Sequence, residues 1–156
     1  MIGNDLVDLR AAARESQWKR KGYLQKLFSG AEQADILASN HPDEYIWTLW
    51  SMKESVYKIH SRKTGERKFA PAKIISLDLQ VDEREIIGVV ETEERRYFTK
   101  TLVRKNYVYS IAAERVDALP WIYTQLHFRP ALFDYKKYQP GSVSHHGDYL
   151  ALAFCY

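Results

Sequence analysis

The stretch "WSMKESVYKI", residues 50–59, sets Lys53 beside Glu54 and puts Lys58 four residues after the acid. On a helix edge, cation, acid and cation together suit a phosphate held with a divalent metal. The carboxylate would take the metal and the lysines the phosphate oxygens. The plain alternative is a solvated Glu–Lys pair one turn apart, worth about 0.2–0.5 kcal/mol. Stepped at about 100° per residue, Leu49, Met52, Val56 and Ile59 form an apolar stripe that Tyr45 and Ile46 extend. Glu54 and Lys58 fall beside each other beyond its edge. Lys53 falls inside the apolar arc, so it either snorkels to solvent or faces a pocket that holds an anion.

The element that must carry these residues runs from Pro42, placed for a helix start, to Gly65, placed for a helix stop. Before it, residues 2–9 read as a strand with Asp5 and Val7 on one face and Asp8 on the other, Asp8 being placed to cap the next helix. Residues 10–22 read as that helix, charged and Ala-rich, and 23–28 as a short helical piece. In "SGAEQADILASN", Ser29 and Glu32 have capping-box spacing. After Pro71 the texture turns β-branched and aromatic: "AKIISLDLQV", "EIIGVVETE", "RYFTKTLVR" and "NYVYSIAAERV" predict an antiparallel meander. Residues 117–142, broken by Pro120, Pro130 and Pro140, read as irregular or partly helical, and "DYLALAFCY" as a last strand. Helices and then strands, with no repeat or linker, predict one α+β domain over residues 1–156.

Composition narrows the class. The chain has 156 residues and a net charge of +3, which suits anionic partners without demanding nucleic acid. Its single cysteine, Cys155, permits no internal disulfide and ends an apolar run, so it is expected to be a small core residue. "MIGNDLVDLR" lacks the basic start of a signal peptide, and no apolar run approaches a membrane span. A cytoplasmic, membrane-free protein is expected.

Three segments together carry a family resemblance: "GNDLVDL" (3–9), "WSMKESVYKI" (50–59) and "SVSHHGDYLALAF" (142–154). They resemble, in order, the G-x-D strand, the W/F-x-x-K-E-x-x-x-K helix and the S-x-S-H segment of the 4'-phosphopantetheinyl transferase superfamily. "YLQKLFSGAE" is similar to the family segment before the long helix. With G-x-D first and S-H last, the motif order is that of the short branch, holo-acyl-carrier-protein synthase. The chain departs from it by extra length over residues 117–141 and by "HSRKTGERKFAP" after Lys58 in place of glycine-rich spacing.

The resemblance implies a single module in which an antiparallel sheet packs against a long central helix. It implies that Asp5 and Glu54 hold Mg²⁺, with Val7 standing where the longer branch has a further acid. It assigns Lys53, Lys58, Ser144 and His145 to coenzyme A phosphates, and Glu54 and Lys58 to catalysis. It gives His146 no role, and a surface position is expected for it. The implied reaction is attack by a serine hydroxyl of an apo-acyl or peptidyl carrier protein on the pantetheine-side phosphorus, with 3',5'-ADP leaving. The implied partners are coenzyme A, an acidic acyl carrier protein of fatty-acid synthesis, and further copies of the chain, a trimer by resemblance. Arg14, Lys19, Arg20 and Lys21 on the expected first helix are placed to dock that acidic partner. The rival reading is a small basic nucleic-acid-binding module using the same cations with Trp18 and Tyr23. It leaves Asp5 and Glu54 without work and sets acids on a phosphate-binding face, so no nucleic acid is expected.

Overall fold

The computed structural model describes residues 1–155 and is of the α+β class. Strand β1 spans Ile2–Asp8 and leads directly into helix α1, Leu9–Glu15. Asp8 caps α1 as expected, accepting from the backbone N–H groups of Arg10 and Ala11. The helix stops seven residues short of the expected Gly22. Trp18 is buried there and donates its indole N–H to Asp43 at 2.7 Å, which turns the chain, and Gly22 supplies a left-handed residue with φ 84°. Lys19, Arg20 and Lys21 therefore sit in turns rather than on the first helix.

Helices α2 (Tyr23–Leu27), α3 (Gly30–Ala38) and α4 (Pro42–Thr64) come next. The Ser29–Glu32 capping box at α3 and the left-handed Gly65 that stops α4 are both formed. The meander is present as β2 (Ile75–Asp82), β3 (Glu85–Glu91), β4 (Arg96–Val103) and β5 (Tyr107–Ala113). With β1 it makes an antiparallel five-stranded sheet in the order β1-β5-β4-β3-β2.

The segment expected to be irregular contains a strand, β6 (Ile122–Phe128). It joins β8 (Tyr149–Cys155), which also pairs with β7 (Ser142–His146), in a second sheet of order β6-β8-β7. β6 hid because Tyr123, Leu126 and Phe128 are all exposed, which erases a two-residue alternation. Cys155 is exposed at the end of β8, opposite Ile122, and is not a core residue.

The five-stranded sheet is covered on both faces at its β1 end. Leu49, Met52, Val56 and Ile59 of α4, each at most 1% exposed, pack with Val90, Tyr97 and Ala112 on one face. Ile2, Leu6, Tyr109 and Ile111 pack with Ala151 and Ala153 of the second sheet on the other. Buried on two sides, β1 is uniformly buried along its length. Gly3 is what allows α4 to lie so close, because a Cβ there would collide with the carbonyl oxygen of Ser55. No helix among the described residues is long and apolar enough to cross a membrane.

Candidate functional site

β1 alternates its side chains, so the odd residues Gly3, Asp5 and Val7 share a face. That face carries α4, since Gly3 abuts Ser55 and Val7 packs in the α4 core. Asp5 thereby meets the polar edge of the helix. Lys58 Nζ donates to the Asn4 carbonyl at 2.7 Å, to Asp5 Oδ1 at 3.4 Å and to the Val143 carbonyl at 3.3 Å. Ser51 Oγ donates to the Asp5 carbonyl at 3.1 Å. Four of the sequence-selected residues, Asp5, Glu54, Lys58 and Ser144, thus gather where β1, α4 and β7 meet.

β7 supplies the third wall through side chains, because among the described residues β1 pairs as a strand with β5 alone. The N–H groups of Asn4, Leu6 and Asp8 donate to Ser142 Oγ (3.0 Å), Ser144 Oγ (3.0 Å) and His146 Nδ1 (2.9 Å). Ser144 in turn donates its hydroxyl hydrogen bond to Asp5 Oδ1 at 3.1 Å. Ser144 is buried, so here it orients Asp5. His146, expected on the surface without a role, is half-buried and holds this edge. Its Nε2 lies 3.3 Å from Glu15. The missed signal was the spacing of Ser142, Ser144 and His146 at every second residue.

The electrostatics are unbalanced. Burial pushes the Asp5 carboxyl above its usual range, against the pull of Lys58 and the Ser144 hydroxyl. Burial, and then the charge of Asp5, push Glu54 up to about 7, with Lys58 opposing. Two carboxylates close enough to repel share one lysine. That donor set fits a hard divalent cation, which takes one or two carboxylates and completes its shell with water and phosphate. Among the described residues there is no cluster of three potential ligand side chains, so a cation here would draw only two carboxylates from the protein.

Asp5 and His145 open onto a cleft of about 630 Å³. Its other walls include Arg14, Glu15, Arg20, Tyr23, Trp47 and Trp50, of which the motif segments contain Tyr23 and Trp50. His145 is exposed at this rim, while Glu54 and Lys58 are not among its walls.

Lys53 does not belong to this site. It neither snorkels nor faces a ligand pocket: it is fully buried and ion-pairs with Glu32 at 2.7 Å. Its remaining protons go to the carbonyls of Leu27 (3.0 Å) and Pro71 (2.9 Å), leaving no donor for a phosphate. Burial lowers its pKa and the Glu32 pair opposes that pull.

Comparison with known proteins agrees with this architecture. The chain belongs to the 4'-phosphopantetheinyl transferase superfamily, whose family model matches residues 1–112. That membership makes it a transferase of the phosphopantetheinyl group. The match covers Asp5 and Glu54 but ends before β7. Among solved structures, the crystal structure of Thermotoga maritima holo-[acyl-carrier-protein] synthase superposes with a TM-score of 0.51, covering 97% of this chain and 81% of that one. At 9% identity the likeness is one of fold. No curated protein matches the chain.

Proposed function

We propose that this protein is a Mg²⁺-dependent 4'-phosphopantetheinyl transferase of the holo-acyl-carrier-protein synthase type, working in the cytoplasm as one module over residues 1–156. It moves phosphopantetheine from coenzyme A to a serine of an acidic apo-carrier protein and releases 3',5'-ADP. The observation that carries the reading is the meeting of Asp5, Glu54 and Lys58 between β1 and α4, where, among the described residues, two mutually repelling carboxylates share one lysine as counter-charge.

Asp5 and Glu54 would hold the metal, which supplies charge neutralisation for the pyrophosphate and its leaving oxygen. Ser144 keeps an oxygen of Asp5 oriented by donating to it. Lys58, held by the carbonyls of Asn4 and Val143, would turn its third and longest bond, 3.4 Å to Asp5, toward a phosphate oxygen once Asp5 is engaged by the metal. His145 at the cleft rim would take a further phosphate oxygen. Glu54 accepts the serine proton directly or through one water, as the carboxylate of this site that the neighbouring charges of Asp5 and Lys58 act on. The serine oxygen attacks the pantetheine-side phosphorus while the bond to 3',5'-ADP breaks. Arg14 and Arg20, in the cleft wall, and Lys19 and Lys21, exposed beside it, face an acidic carrier protein.

The test is mass spectrometry of an apo-acyl carrier protein incubated with this protein, coenzyme A and Mg²⁺. A gain of one phosphopantetheine on the serine is expected and should vanish with EDTA. An unmodified carrier protein, together with a salt-sensitive complex with an oligonucleotide, would overturn it.

A further inference from the structure

Resting on that reading, we propose that Lys53 and Glu32 are positioning residues for Glu54. Their buried pair sets the rotation of α4 about its own axis, and with it the direction of the carboxylate on the next residue.

The pair is more than a two-atom contact. Lys53 Nζ donates to three partners on three segments: Leu27 at the end of α2, Glu32 in the first turn of α3, and Pro71 just before β2. It also lies 4.9 Å from the centre of the Phe28 ring. Glu32 is as fully engaged. Its Oε2 accepts from Lys53 and from the Ser29 N–H at 2.9 Å, and its Oε1 accepts from the Ser76 N–H at 2.9 Å. One carboxylate therefore caps α3, holds the start of β2 and grips α4. Lys53 is 0% exposed and Glu32 3%.

A buried ion pair is a poor route to stability, since apolar residues of similar volume often do as well. What it adds is direction. An apolar contact is non-directional and leaves α4 free to turn about its axis, whereas three short bonds to one ammonium resist that turn. A helix side chain ends roughly 5–6 Å from the axis, so a rotation of about 10° carries it about 1 Å. A displacement on that scale is enough to cost a reaction on the order of 10²-fold. On the opposite flank α4 is held against β1 by the Ser51–Asp5 bond and by the close approach at Gly3. Glu54 lies between the two grips.

The test compares wild type, Lys53→Met, Glu32→Gln, their double variant and Glu54→Gln. Readouts are kcat, KM for coenzyme A, thermal midpoint and amide exchange of the metal-free protein. For Lys53→Met a fall in kcat of at least about tenfold is expected well below its melting temperature, with KM within about twofold. Amides of the Met52–Ser55 turn should exchange at least about tenfold faster while those of β3 and β4 keep wild-type rates. Glu32→Gln keeps the volume and serves if Lys53→Met does not fold. The double variant should be no worse in kcat than the poorer single one, as for residues acting as a unit. Unchanged kcat with a lowered thermal midpoint would reduce the pair to a structural one. Unchanged kcat with a raised KM would make Lys53 a phosphate ligand. Either overturns the proposal, as does unaltered exchange in both single variants. A wild-type protein as inactive as Glu54→Gln would overturn the function itself, and the exchange measurement then decides the brace alone.

Discussion

One helix carries two lysines five residues apart, each donating to one carboxylate and two carbonyls, yet their surroundings differ in burial, bond length and charge balance. Around Lys53 each donor and acceptor is matched, the ion pair is 2.7 Å long, and the side chain is closed off from solvent. Around Lys58 the ion pair is 3.4 Å long, the side chain is 28% exposed, and two carboxylates compete for a single cation. The first region is complete, and nothing further would bind there with profit. The second is held in an unfavourable charge state that a ligand would relieve. Strained electrostatics on one face of a helix and satisfied electrostatics on another mark the face that acts on something else.

The largest effect should come from removing charge on the strained side. Glu54→Gln keeps shape and is expected to lower turnover on the order of 10²-fold or more, with the melting temperature hardly changed. Steady-state kinetics and a thermal melt check this. Near wild-type turnover would remove Glu54 from the catalytic step. Next comes Lys58→Ala, expected to raise KM for coenzyme A and lower kcat, with kcat/KM down by roughly ten- to a hundredfold for a lost charge-assisted bond. An effect on stability alone would erase the contrast between the two lysines.

Smaller changes sharpen the comparison. Lys19 and Lys21 stand outside the cleft that Arg14 and Arg20 line. Changing both to Glu should raise KM for the carrier protein up to about tenfold at low salt and leave KM for coenzyme A unchanged. A pH series on the metal-free protein tests the strain directly. The folded pKa of Glu54 lies above its unfolded value of 4.5, so its contribution is fully present below about pH 4.5 and is lost as pH rises through about 7. Asp5 is shifted in the same direction. The wild-type melting temperature should therefore fall more over that window than that of Glu54→Gln, by a few degrees at most. Parallel curves would mean that Glu54 is not strained. Smallest is Lys63→Ala, which removes a surface pair with Glu114 and should cost within about 1 kcal/mol in a denaturant melt and leave kinetics untouched.

Much of this was legible from local chemistry. The phase of α4, its stripe and the Ser29 capping box depend on neighbours a few residues away, and so does the β2–β5 meander with its short turns. What stayed hidden depends on residues far apart in sequence. The helical phase put Lys53 in the apolar arc correctly, but its partner Glu32 is 21 residues earlier and read only as a capping acid. Trp18 ends α1 early by reaching Asp43, which no propensity records. β6 lay between two prolines with exposed apolar residues on both faces. Ser144 was selected for a phosphate, while its hydroxyl is spent on Leu6 and Asp5.

The bonds from β1 to Ser142, Ser144 and His146 have a further consequence. They join residues 138 apart in sequence through teeth set at every second position. Such a seam admits no small adjustment: it can slip only by whole residues. A slip of one would turn Val143 and His145 toward the bare backbone of β1 and swing both serines and His146 to the far face. A slip of two would leave one N–H of β1 unanswered. The place of His145 relative to Asp5 is therefore digital rather than graded. The beginning and end of the chain meet in one alignment or not at all.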